Sequence, residues 1–90
     1  MENLNIKYAI DFINKMGYRW DGEILNNEKP STIYNFFCPQ TVKLNGEVKG
    51  LILYDEQDDS PECIIYKIVK GIFIIEKNLT DEWVKYLNNV

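Results

Sequence analysis

The chain has 90 residues, 46% of them hydrophobic and 27% charged, which is enough for one core, too little for two, and far from the composition of a disordered chain. Residues 1–90 are therefore expected to form a single compact domain. The net charge is -4 and the ten basic residues are scattered without a basic run, which argues against direct nucleic-acid binding and against attraction to an anionic membrane.

Leu4, Tyr8, Ala9, Phe12, Ile13 and Met16 recur at spacings of three and four, so the first predicted element is an amphipathic helix with that stripe facing the core. Asn3 or Asn5 is placed to cap it, and Gly17 stands where a left-handed residue ends such a helix. Tyr18 to Leu25, with Asp21-Gly22 in the middle, fits either a short hairpin or an irregular loop, and a polar stretch from Asn26 to Ser31 follows. Thr32 to Cys38 is rich in β-branched and aromatic residues and is predicted to be a strand, ended by Pro39. Within it Cys38 alternates with Phe36 and Tyr34, which reads as a small buried hydrophobe.

Thr41 to Val48 carries the strongest signal: Asn45-Gly46 between two β-type segments supplies the positive φ angles of a type I′ hairpin turn. The second arm continues through Leu51 to Tyr54, with Gly50 marking either a bulge or a close backbone approach. Cys63 to Val69 and Ile72 to Ile75 are read as strands buried on at least one face, joined at Lys70-Gly71 as a hairpin or as one bent strand. A C-terminal helix follows, with Thr80 as its cap, Asp81 and Glu82 in its first turn, and Trp83, Val84 and Leu87 directed at the sheet. The expected fold is α+β: an N-terminal amphipathic helix, an antiparallel sheet of four to five strands, and a C-terminal helix packed on the sheet.

No histidine is present, which removes the Ser-His-Asp and Cys-His nucleophiles and every zinc site that needs imidazole. Cys38 and Cys63 form no C-x-x-C pair, and the five glycines never approach a phosphate-binding pattern. The chain is thus expected not to be an enzyme and to carry no catalytic residue, cofactor or metal. The first residues hold neither a basic n-region nor an apolar h-region, and no apolar run of about 18 residues could cross a bilayer. A cytoplasmic protein with reduced thiols is expected. Nine lysines against one arginine, with abundant Ile and Asn, point to AT-rich coding of the kind found in some low-GC bacteria and their phages.

Asp55, Glu56, Asp58, Asp59 and Glu62 place five acids in eight positions between two apolar strands. An EF-hand template fails there, with Ser60 where glycine is needed and Tyr66 in place of the bidentate glutamate. The remaining readings are a solvated loop or a docking surface for a basic protein, which Glu23, Glu28 and Glu47 could extend. The expected function is a small protein-binding module, such as an inhibitor, immunity protein or antitoxin-like partner, that blocks a basic surface of another protein. The alternatives are a small-ligand-binding or regulatory domain and a homodimeric structural subunit built by edge-strand pairing.

Overall fold

The computed structural model describes residues 4–26 and 29–90. Two readings, the Asn3 cap and Glu28 in the negative surface, lie outside the described residues. Helix α1 spans Ile6–Lys15; Asn5 caps it by accepting the Lys7 N–H at 2.9 Å, and Gly17 follows at a φ of 97°. Its periodic residues do what the spacing predicts, since Ala9, Phe12 and Ile13 are buried, whereas Met16 is 39% exposed.

Four strands follow: β1 (Gln40–Leu44), β2 (Glu47–Asp55), β3 (Ser60–Val69) and β4 (Ile72–Asn78). All neighbours are antiparallel and the sheet order is the chain order, β1-β2-β3-β4. The Asn45-Gly46 turn forms as expected, with φ of 55° and 80°. Lys70-Gly71 is a tight hairpin with φ of 52° and 77°, not a bend in one long strand. Helix α2 (Thr80–Leu87) closes the chain with Trp83 and Leu87 buried. Both helices share one continuous core with the inward residues Val42, Leu44, Leu51, Leu53, Cys63 and Ile65. Phe12 meets Trp83 across the helix seam, with ring centroids 5.1 Å apart.

The irregular segment before β1 is held by specific hydrogen bonds. Asn45 serves two partners at the hairpin turn: its Oδ1 accepts the Arg19 N–H at 2.9 Å and its Nδ2 donates to the Gly17 carbonyl at 3.3 Å. Trp20 and Ile24 are buried and no strand forms between Tyr18 and Leu25, so the loop alternative holds there.

Four readings are corrected. Thr32 to Cys38 is not a strand: Ile33–Phe36 is a 3-10 helix, because Ile33 and Phe36, three residues apart, fall on one side of a three-residue turn and both bury completely. Cys38 is exposed, since the alternation that would have buried it does not exist. Thr80 does not cap α2. It is the first helical residue, and its hydroxyl accepts the Cys63 N–H at 3.1 Å, tying the helix to β3. Strand β4, expected to be buried on at least one face, is exposed along its whole length.

Candidate functional site

Asp55 ends β2 and Ser60 begins β3, so the acidic segment is the β2–β3 hairpin loop, with Glu62 just inside β3. Asp55 Oδ1 accepts the N–H groups of Gln57 at 3.0 Å and Asp58 at 3.3 Å, which makes its carboxylate the brace of the turn. Asp59 adopts a left-handed φ of 50° and accepts a hydrogen bond from the Tyr54 hydroxyl. That bond, followed by burial of the phenol, pushes the Tyr54 pKa up to about 12. Two of the five acids are therefore occupied in holding the loop, whereas Glu56 and Asp58 project into solvent with no ion pair among the described residues.

Glu62 is half-buried, and its carboxyl is held above the usual range first by burial and then by the charges of Asp55 and Asp58. Asp55, Asp58 and Glu62 thus share one negative field. They do not form a ligand set: among the described residues no group of three or more His, Cys, Asp or Glu side chains is arranged to hold a metal ion. Glu47 lies at the Asn-Gly turn, the far end of β2, and does not extend this surface. Beside Glu62, the Cys63 thiol is pushed up to about 12 by burial first and by the charges of Glu82 and Glu62 after it.

The opposite end of the sheet has a different character. Ile72, Phe73, Ile74 and Ile75 of β4 are 63%, 39%, 42% and 59% exposed, beside the exposed Val69 and Val48. Pairing explains why. Lys67 opposes Ile74 and Tyr66 opposes Ile75, so Ile72 and Ile74 lie on the helix side of the sheet and Phe73 and Ile75 on the outer side. Helix α2 covers β3, and β4 lies beyond it as the edge strand. The outer face carries Val48, Ile52, Ile64, Tyr66 and Ile68 in addition to the two β4 residues, with Ile64 buried, Ile52, Tyr66 and Ile68 half-buried and Val48 exposed.

An edge of this kind is ordinarily blunted by lysine, proline or a bulge. Here the bulge and Lys77 come only after Ile75, and Glu76 is drawn inward to Lys49 by a 2.6 Å ion pair. The sequence contained one usable signal for this exposure. In a meander whose strand order follows the chain, the last strand is an edge, and a continuous apolar run there has no second neighbour.

Two open clefts lie away from both features. One of about 360 Å³ sits at the α1–α2 seam between Phe12, Met16 and Tyr86, and one of about 410 Å³ lies between Trp20, Arg19 and Lys43. The first is walled by Tyr86, whose hydroxyl donates to Asp11 at 2.5 Å. No helix among the described residues is long and apolar enough to cross a membrane. Comparison of the chain with protein-family models, with curated proteins and with solved structures finds no match in any of the three.

Proposed function

We propose that the chain is a non-enzymatic protein-binding module whose docking element is β4. The observation that carries this reading is the run of four exposed apolar side chains, Ile72 to Ile75, on a strand with one unpaired backbone edge. Burial of such surface yields about 25 cal/mol per Å², and an added strand satisfies the free N–H and C=O groups at the same time. Exposed apolar patches of this size on a small domain are typically interaction surfaces.

A second surface is the acidic loop, favoured by the negative field that Asp55 and Asp58 exert on Glu62. It suits a basic partner, for which it speeds association by steering. A module with these two surfaces acts by occlusion, in the manner of an inhibitor, immunity protein or antitoxin.

Affinity capture from a lysate of the native host tests the reading with three baits: the wild type, Ile75→Lys, and the pair Glu56→Lys with Asp58→Lys. The loop pair spares Asp55 and Asp59, which hold the turn, so it alters charge without unfolding the hairpin. A protein recovered by the wild type and lost with Ile75→Lys supports docking at β4. Loss only with the loop pair moves the docking surface to the acids, and the same recovery from all three baits rejects both surfaces.

A further inference from the structure

We propose that β4 pairs with β4 of a second copy of this chain, antiparallel about a two-fold axis through Ile74, so that two four-stranded sheets become one of eight strands. This rests on the reading of β4 as the docking element and names its partner.

The backbone sets the register. A two-residue turn at Lys70-Gly71 makes Val69 and Ile72 the closing hydrogen-bonded pair of the hairpin, and Lys67 with Ile74 the next. The N–H and C=O groups of Ile72 and Ile74 therefore face β3, while those of Phe73 and Ile75 face the open edge. An axis through Ile74 sets Phe73 of each copy opposite Ile75 of the other, so every outward group from Phe73 to Ile75 finds a partner. It also matches side chains: Phe73 with Ile75 on the outer face, and Ile74 with its own copy on the helix side. The bulge between Ile65 and Tyr66 of β3 and their β4 partners ends the regular edge at Glu76, just where this pairing ends.

Charge agrees with the arrangement. Two chains of net charge -4 repel, but the antiparallel arrangement sends their acidic loops in opposite directions. Ser60 lies seven residues along β3 from Lys67, the partner of Ile74, or roughly 23 Å at the strand rise. The two loops are then roughly 45 Å apart, several times the Debye length of about 8 Å at physiological ionic strength. Such pairing covers the strand edge and the flanks of Ile72 to Ile75 while both sheet faces stay open, so the interface is small and the dimer belongs to the weak, concentration-dependent class.

Register-specific cross-linking tests this in a Cys38→Ser background, which removes the exposed native thiol and leaves only the buried Cys63. Ile74→Cys brings the two introduced thiols face to face across the axis at a Cα separation of about 4.5 Å, within the span of a disulfide. Ile72→Cys sets its two thiols four residues out of register, roughly 13 Å apart, beyond that span. The expected result is a covalent dimer on mild oxidation of Ile74→Cys and none from Ile72→Cys. Sedimentation of the wild type from low to high micromolar concentration is expected to give a dimer, and Ile74→Lys a monomer with an unchanged circular-dichroism spectrum and a dissociation constant at least about tenfold higher. Equal cross-linking at both positions, or a wild type that is monomeric throughout, overturns the homodimer. If a monomeric wild type still captures a lysate protein that Ile75→Lys loses, the edge takes a foreign strand: the homodimer fails while β4 stands as the docking element.

Discussion

Gly50→Ala tests the packing of the outer sheet face at a single atom. Gly50 is buried in the middle of β2, between Thr41 of β1 and Tyr66 of β3. A Cβ there meets Cδ1 and Cε1 of Phe73 at 2.6 and 2.7 Å, and the Cβ of Tyr66 at 3.1 Å. The ring of Phe73 thus reaches across β3 to lie over the glycine, edge-on to Tyr66 with centroids 6.0 Å apart. Gly50 does not have a positive φ, so alanine brings no backbone strain and the whole effect is steric. The ring must lift, forfeiting an aromatic contact of about 0.5–1.5 kcal/mol and part of its burial, for a total loss of about 1–2.5 kcal/mol. At about 4–8 °C per kcal/mol for a domain of this size, the melting temperature should fall by roughly 5–15 °C.

Phe73→Ala removes the closer obstacle and leaves the Cβ of Tyr66 at 3.1 Å. In that background Gly50→Ala should be close to neutral, because the entropy that glycine loses in a strand, about 0.5 kcal/mol more than alanine, offsets the small shift that the Tyr66 Cβ must make. Unfolding of all four proteins at one fixed concentration closes a double-mutant cycle, with an expected coupling of about 1 kcal/mol or more. A cost for Gly50→Ala that is the same with and without the Phe73 ring would refute the close approach.

Two further outcomes follow from the ionisable groups. The phenols of Tyr54 and Tyr86 are pushed up to about 12, the first by its bond to Asp59 and then burial, the second by burial and then its bond to Asp11. The unfolded chain ionises them near 10, so folding favours the neutral phenols; that contribution is complete below about pH 10 and is lost as pH rises towards 12. A phenolate absorbance titration should show late ionisation that Tyr54→Phe and Tyr86→Phe each reduce by one group, and a native titration complete near pH 10 would contradict it. For the thiols, Cys38 should react at once with a disulfide reagent, while Cys63, buried and pushed up to about 12, should react only as the chain unfolds. Cys38→Ser should leave the native protein silent in that assay, and rapid labelling of this variant would mean that β3 opens beneath α2.

The sequence by itself determined the elements whose signals are local. A stripe at spacings of three and four, with Asn5 before it and Gly17 after it, is enough for α1, and Asn45-Gly46 is enough for the first hairpin, because in each case neighbouring residues set the backbone angles. Acid clustering was legible for the same reason, although only the folded loop distinguishes Asp55 and Asp59, which hold the turn, from Glu56 and Asp58, which form no ion pair among the described residues. Tertiary structure decided everything that depends on a distant neighbour. Ile33 and Phe36 have the composition of a strand but no strand to pair with, and burying both on one side of a turn was the better solution. Thr80 has the side chain of a helix cap, but the N–H of Cys63 lies within its reach. The apolar run Ile72 to Ile75 reads as core in any window of the sequence, because burial is a property of what covers a strand, and in this fold the sheet order places β4 at the edge, where these four side chains stay exposed.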